Sequence, residues 1–238
     1  RHDLDDLHSS WSPDGEWILF ASMRDGYLNL WRMHRDGSQL TQLTYSDQHL
    51  RNPAYGLDAN GEPVITFSGM LEADVYRDQR PYQLAPEGGE YTRLHDAFGS
   101  APQLSPDGRY VAFTRGAAYH DWNRRHYRGP DALNIWLHEL GSEDFEPLTE
   151  RDGDDGLPRW VDGDTLLFML DTERTIERLT HFDVHGVQHF DVSRDGSTVV
   201  LQVWDTLMTL DLETPGAEPK PIALRPPDAG RDTYRLHR

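Results

Sequence analysis

The sequence predicts an all-β fold made of repeated antiparallel sheets. Five times the chain repeats a turn that ends in Asp-Gly or Asn-Gly, then a β-run, and later a second β-run that closes in Leu-Thr or a similar pair. The 7 Trp, 10 Tyr and 8 Phe suit short strands that pack through large side chains. The 20 Gly and 15 Pro supply turns throughout, and no helical run interrupts them.

The two clearest copies of the turn are Trp11-Ser-Pro-Asp-Gly15 and Leu104-Ser-Pro-Asp-Gly108. Proline presets φ, aspartate bonds the backbone and glycine tolerates a positive φ, so each copy predicts a type I or II turn. After the first copy, strands are predicted at 17–20 and 27–33, with an outer strand at 39–44. A fourth strand is expected before the turn. Four-stranded antiparallel sheets repeated in this way are typical of a β-propeller.

The spacing of the turn glycines defines the repeat units. The intervals between Gly15, Gly61, Gly108, Gly163 and Gly196 are 46, 47, 55 and 33 residues. The first two intervals fit one propeller blade each. One propeller is therefore predicted over 1–224, with units at approximately 7–44, 45–94, 95–149, 150–180 and 181–224, and with 225–238 as a linker or the start of the next segment.

The fourth interval is too short for a complete blade. It falls about 13 residues below the 46-residue period, and the shortfall lies between Phe168 and Arg178. We therefore predict that a disordered stretch of this blade is missing there. Five repeats are visible, and the prediction is a six-bladed propeller with segments missing.

Charge and composition exclude several classes of partner. The formal net charge is -18, from 41 acidic and 23 basic residues. This field opposes the binding of nucleic acid and of an anionic membrane surface. The absence of cysteine excludes disulfides and thiolate chemistry. A cytoplasmic location is expected, with the periplasm as the alternative.

Several phrases of the repeat resemble a known superfamily. The Ser-Pro-Asp-Gly turn, the strand Asn29-Leu-Trp31 and the ending Gln42-Leu-Thr44 resemble the repeat shared by TolB propellers and the tricorn protease. The stretch 99–116, followed by 122–130 and Asn134-Ile-Trp136, is similar to the N-terminal propeller of tricorn-type peptidases. The resemblance covers about 7–224, although five units are visible where that propeller has six.

The resemblance implies a large serine peptidase whose propellers filter peptides and whose nucleophile lies in a C-terminal domain. None of those catalytic positions maps onto this sequence. The chain also lacks a Gly-x-Ser-x-Gly elbow, and Ser12, Ser105 and Ser193 stand in turn contexts where a hydroxyl caps the backbone. A non-catalytic module is therefore expected, without a cofactor. Its expected partners are peptides or other domains and subunits of the same peptidase, and an oligomer is compatible with this reading.

Two other functions stay open at this point. One is a stand-alone TolB-like propeller that binds proteins in the periplasm. The other is a metal-assisted lyase built on a propeller.

An insertion in the third unit is the strongest candidate site for peptide or domain contact. It concentrates arginine and aromatic side chains in an otherwise acidic chain, and guanidinium groups pair with carboxylates and stack on rings. The candidate residues are Trp122, Arg124, Arg125, His126, Tyr127 and Arg128. The alternative is an insertion held by the chain's own Asp and Glu residues.

The histidines His181, His185 and His189 are weak candidates for a metal site, because residues four apart share one face of a strand. Oligogalacturonate lyases, which are built on a similar repeat, hold a metal through such histidines. The alternative is polar residues at a sheet edge. The acidic run 152–155 is read as a solvated turn rather than a calcium loop. The Trp residues at equivalent repeat positions are expected in the core or between blades: Trp11, Trp17, Trp31, Trp136, Trp160 and Trp204.

Overall fold

The described part of the chain consists of strands and turns, without helix. The structure, a computed structural model, describes residues 6–72, 78–116, 132–150, 154–170, 179–180, 182 and 186–223. These residues form 18 strands in five antiparallel sheets, one for each predicted repeat unit. No helix in this part of the chain is long and apolar enough to cross a bilayer.

The first two sheets each contain four strands in chain order. The first sheet comprises β1 (Asp6–Trp11), β2 (Trp17–Ser22), β3 (Asn29–His34) and β4 (Thr41–Gln42). The second sheet comprises β5 (Leu50–Leu57), β6 (Pro63–Gly69), β7 (Arg80–Leu84) and β8 (Tyr91–Arg93).

The other three sheets follow the same order along the chain. The third comprises β9 (Ser100–Leu104), β10 (Tyr110–Arg115), β11 (Asn134–Glu139) and β12 (Phe145–Pro147). The fourth has two strands among the described residues, β13 (Asp155–Trp160) and β14 (Leu166–Leu170). The fifth comprises β15 (Val187–Val192), β16 (Thr198–Val203), β17 (Thr206–Asp211) and β18 (Lys220–Pro221).

This arrangement confirms the four-stranded repeat. The strand expected before the first Ser-Pro-Asp-Gly turn is β1, which pairs antiparallel with β2. The outer strand predicted at 39–44 is shorter than expected, because β4 holds only Thr41 and Gln42. Four sheets are complete blades, and a count of six is not reached within the described residues. The stretch predicted to be missing falls mainly on 171–178, which lies outside those residues.

The chain divides into two compact units. The first unit is Arg1–Ile176 with Arg194–Gly196, and it contains the first four sheets. Within it, the first strand of each sheet contacts the first strand of the next, from β1 to β5, β9 and β13. The second unit is Glu177–Ser193 with Ser197–Arg238, and it contains the fifth sheet.

Apolar strand faces form the core of the first unit. Leu19 and Ala21 of β2 and Ile65 and Phe67 of β6 are fully enclosed between the first two sheets. The neighbouring residues Leu19 and Phe20 are both buried, so β2 is covered on both faces. Burial of such strands is the main favourable term that holds neighbouring sheets together.

Each first strand of the first unit carries a bulge at the same place. The residue in the left-handed region is His8, Asn52, Ala101 or Leu157, with φ values of 54°, 51°, 50° and 55°. The pairing register shifts beside each of them. Non-glycine residues in this region cost roughly 1–3 kcal/mol each. A strained bulge is therefore a regular part of this repeat rather than a defect.

Candidate functional site

The turn serines are structural. The backbone N–H of Trp17 donates to Ser12 Oγ at 2.9 Å, and that of Tyr110 donates to Ser105 Oγ at 3.0 Å. In the fifth sheet, Ser193 Oγ accepts from Thr198 N at 2.9 Å. The predicted capping role of these hydroxyl groups is confirmed, because each of them holds the entry to a second strand.

A second set of hydrogen bonds closes the first and third sheets at the opposite edge. We call this edge of the first three sheets the closing edge; it comprises the ends of the second strands, the starts of the third strands, the loops 43–49 and 94–99, and residues 149, 150 and 154. In the first sheet, Leu30 N donates to Thr44 Oγ1 at 2.8 Å. In the third sheet, Ile135 N donates to Thr149 Oγ1 at 2.9 Å. The repeated Leu-Thr phrase is therefore a buried closure between the third strand and the loop that follows.

The second sheet departs from this closure. Its residue equivalent to Leu30 and Ile135 is Pro81, because Leu94 N donates to Pro81 O as Leu43 N does to Leu30 O. Proline has no N–H, so a threonine hydroxyl opposite it would have no backbone donor from which to accept a hydrogen bond. The threonine position holds His95 instead.

A second closure differs in the same loop. The N–H of Leu28 donates to His49 Nδ1 at 3.0 Å, and that of Leu133 donates to Asp154 Oδ1 at 2.9 Å. The equivalent position of the second sheet is Phe98, which accepts no hydrogen bond. Its ring instead lies under the guanidinium of Arg80, 3.9 Å from centroid to Cζ.

Charged side chains take the place of these closures in the second sheet. Glu72 Oε2 lies 3.1 Å from Arg80 Nε, and Glu72 Oε1 lies 2.5 Å from Arg93 Nη2. Arg93 Nη1 also pairs with Asp96 Oδ1 at 2.5 Å, and Arg80 Nη1 donates to the Asp96 carbonyl. The side chains of Arg80 and Glu72 are 16% and 29% exposed. We call these four residues the Glu72 network.

Tyr82 joins the Glu72 network to the core. Its hydroxyl donates to Glu72 Oε1 at 3.1 Å, and its ring stacks on Phe67 at 5.6 Å. Burial and then this hydrogen bond raise the pKa of Tyr82, so the phenol stays a donor. The hydrogen bond to Arg93 lowers the pKa of the Asp96 carboxyl. The network is therefore a set of fixed charges anchored on a buried strand.

The Glu72 network has one signal in the sequence. It is the pair Arg80-Pro81, which stands where the first and third sheets have Asn29-Leu30 and Asn134-Ile135. Asn29 reaches the carbonyl of Ser46 across its closing loop at 3.0 Å, and Arg80 reaches the Asp96 carbonyl in a similar way. Aligning the units residue by residue would have marked Arg80 as the exception.

The predicted contact insertion starts at the same closing edge. It joins the end of β10, at Arg115, to the start of β11, at Asn134. The guanidinium of Arg115 lies 4.6 Å from the ring centroid of Trp136. The candidate residues lie outside the described residues: Trp122, Arg124, Arg125, His126, Tyr127 and Arg128.

Only one of the three candidate metal residues lies among the described residues. His189 lies on β15 opposite Gln202 and is exposed, while His181 and His185 lie outside the described residues. Within the part of the chain that is described, no group of three or more His, Asp or Glu side chains could hold a metal ion.

Two further expectations need correction. Asp155 is 1% exposed, so the end of the acidic run 152–155 is a buried strand position rather than a solvated turn. Trp160 bridges two sheets as predicted, with Nε1 3.2 Å from the Gln103 carbonyl. Trp11 and Trp204, however, are 54% and 57% exposed. Trp11 is the last residue of β1, and Trp204 lies in the turn between β16 and β17.

The comparisons with known structures agree with the topology. A protein described as a putative TolB from Agrobacterium tumefaciens superimposes with a TM-score of 0.61 at 17% identity, over 91% of this chain and 80% of that one. An oligogalacturonate lyase from Vibrio parahaemolyticus gives a TM-score of 0.55 at 14% identity, over 91% of this chain and 66% of that one. At these identities the likeness shows the fold alone. The class is therefore a β-propeller protein.

Sequence comparison gives the family. The family model of the tricorn protease N-terminal β-propeller domain matches residues 1–216. The chain belongs to this family, which confirms the resemblance seen in the repeat. Among curated proteins, the uncharacterized protein Atu1656 of Agrobacterium fabrum (strain C58) is 34% identical over 120 residues. That match spans 44% of this chain and 38% of the relative.

Proposed function

We propose that this chain is the non-catalytic propeller module of a tricorn-like serine peptidase. In this role it gates or binds peptides and docks against other domains of the same protein. The observation that carries the proposal is family membership over residues 1–216. The structural use of Ser12, Ser105 and Ser193 supports a role outside the chemical step, since their hydroxyls are engaged in their own turns.

The closing edge is the proposed contact surface. Guanidinium groups pair with carboxylates through parallel hydrogen bonds and stack on aromatic rings. Arg115 on Trp136 and Arg80 on Phe98 show that arginine–aromatic stacking occurs at this edge of the second and third sheets. The insertion starts here with further arginine and aromatic residues. A peptide's C-terminal carboxylate, or an acidic surface of a neighbouring domain, fits this chemistry.

Peptide binding to the natural polypeptide that carries this chain tests the proposal. Fluorescence anisotropy would compare labelled peptides that end in a free carboxylate with the same peptides as C-terminal amides. The double variant Arg124→Ala/Arg125→Ala is expected to bind the free-carboxylate peptide about tenfold more weakly, because a charge-assisted hydrogen bond contributes roughly 1.5–3 kcal/mol. The amide is expected to be insensitive to the change.

A matched control is available at the other edge of the sheets. Arg35 and Arg109 are 59% and 58% exposed, and each pairs with a glutamate. The variant Arg35→Ala/Arg109→Ala removes the same charge and is expected to leave peptide affinity unchanged. Equal affinity of the Arg124→Ala/Arg125→Ala variant and the unmodified protein would refute the contact role of the insertion.

A stand-alone binding propeller is the second candidate. It is favoured by the TolB-like structure, of which this chain covers 80%. A serine-directed fluorophosphonate probe distinguishes the two candidates, because a tricorn-like peptidase would be labelled in the natural polypeptide. Absence of labelling, together with retained protein binding, would support the stand-alone propeller.

A further inference from the structure

His95 is a buried histidine at the joint between the second and third sheets. It lies on the loop between β8 and β9 and is 7% exposed. Its ring centroid lies 4.4 Å from that of Phe113, 5.2 Å from that of His138 and 5.3 Å from that of Phe145. An imidazole from the closing loop of one sheet is therefore packed among rings of the next sheet.

The two histidines of this cluster differ in their hydrogen bonds. His138 is fixed, with Nδ1 2.9 Å from the Asp144 carbonyl and its ring stacked on Phe145 at 4.2 Å. The ring nitrogens of His95 lack a hydrogen bond of ordinary geometry, and their contact with the Ala97 backbone is too weak to offset the burial of a charge. The neutral ring of His95 is thus held chiefly by packing, and a charged ring would be buried with little compensation.

The charged groups around His95 do not favour an imidazolium. Arg80 on β7 carries a positive charge, and both Arg80 and His138 on β11 disfavour a positive ring at His95. The nearby carboxylate is Asp96 on the same loop, which is already paired with Arg93. Burial, with His138, lowers the pKa of His95 to about 3, against weaker opposing effects from Asp96 and the Ala97 backbone.

We propose that His95 makes the joint between the second and third sheets open reversibly in acid. Protonation of its ring requires loop 94–99 to leave the aromatic cluster. A lower pH therefore favours the open loop over the closed one. The opened loop binds its proton at the ordinary histidine pKa of about 6.5. The closed joint is therefore fully stable above pH 6.5 and loses stability as the pH falls from 6.5 towards 3. Between pH 7.5 and 5.0 the opening equilibrium should rise about 30-fold.

Hydrogen exchange on the intact chain measures this opening directly. The reporters are the amides of Leu94 and Gly99, which donate to Pro81 O and Gln79 O across the loop. The internal control is the histidine-free turn between β5 and β6, where Asp58 and Gly61 donate to Glu62 O and Asp58 O. After correction for intrinsic exchange rates, protection at 94–99 is expected to fall about 30-fold more than protection at 58–62 over this pH range.

The variant His95→Phe isolates the titrating group. Phenylalanine keeps a ring in the cluster but cannot bind a proton, and the change removes no hydrogen bond of ordinary geometry. The additional loss of protection at 94–99 in acid should therefore disappear. His34→Gln is the control variant: the hydrogen bond from His34 to Asp36 raises the pKa of that half-buried imidazole, and its loss should leave the acid response of 94–99 unchanged.

Two results would overturn the inference. One is a pH-independent ratio of protection between 94–99 and 58–62 in the unmodified protein. The other is an unchanged acid response in the His95→Phe variant. If that variant fails to fold, the ratio in the unmodified protein decides by itself.

Discussion

Replacing Gly108 with alanine tests how closely the repeated turns of neighbouring sheets approach each other. Gly108 and Gly15 end identical Ser-Pro-Asp-Gly turns, with φ values of 69° and 73°. A Cβ atom on Gly108 would lie 2.2 Å from the Asp58 carbonyl carbon and 2.5 Å from Ala59 N. A Cβ atom on Gly15 would meet nothing within 4 Å. The two positions therefore share a backbone conformation and differ in space.

The expected effects differ accordingly. Both variants force an alanine into the left-handed region, at a cost of about 1 kcal/mol. Only Gly108→Ala also overlaps the backbone of the turn in the second sheet. That turn is braced, because Asp58 Oδ1 accepts from Asn60 N and Glu62 N at 2.8 Å and 2.9 Å. Forced overpacking adds roughly 1–3 kcal/mol, so Gly108→Ala should cost about 3 kcal/mol and Gly15→Ala about 1 kcal/mol.

Denaturant unfolding followed by tryptophan fluorescence measures both changes in the free energy of unfolding. The comparison is informative when the slope of free energy against denaturant concentration is the same in both variants. Equal destabilisation of the two variants would refute the reasoning, since it would mean that the second-sheet turn moves away from Gly108 at no cost.

Two further predictions concern the hydrogen bonds and charges of the closing edge. Thr44→Val should lower the free energy of unfolding by about 1–3 kcal/mol, because it leaves the buried N–H of Leu30 without its acceptor. The exposed control Thr41→Val should change that free energy by no more than about 0.5 kcal/mol. Equal effects of the two variants in urea unfolding would contradict the role of Thr44 in the closure. Glu72→Gln should lower the free energy of unfolding by about 1–2 kcal/mol, because this carboxylate pairs with two guanidinium groups. The control Glu139→Gln, which breaks an exposed pair with Arg109, should change the free energy of unfolding by under about 0.5 kcal/mol. Equal effects of the two variants would show that the Glu72 network adds no stability.

Much of the fold could be predicted from local sequence. The turn glycines and the β-runs between them are short-range signals, because proline, aspartate and glycine act on their own backbone. They located the second strands correctly. The outer strand was less well predicted, since the two-residue β4 depends on pairing with Arg32 and Trp31 rather than on its own propensity.

The candidate site was predictable only in part. The insertion stood out because its length and arginine content break the repeat. The Glu72 network did not stand out, because Glu72 and Asp96 come together only through the return of the chain along β7 and β8. Trp11 was likewise expected in the core or between blades from its place in the repeat. It is exposed because it is the last residue of β1.

The sequence by itself determined the repeat, its turns, the serine and threonine closures and the family to which the chain belongs. These features depend on residues within one unit, where spacing along the chain and spacing in the fold agree. Only the tertiary structure decided which repeat units make contacts that the others lack. Gly108 approaches Asp58, and His95 is buried among rings of the third sheet. Both contacts join neighbouring repeat units, where packing brings together residues that no local sequence pattern connects.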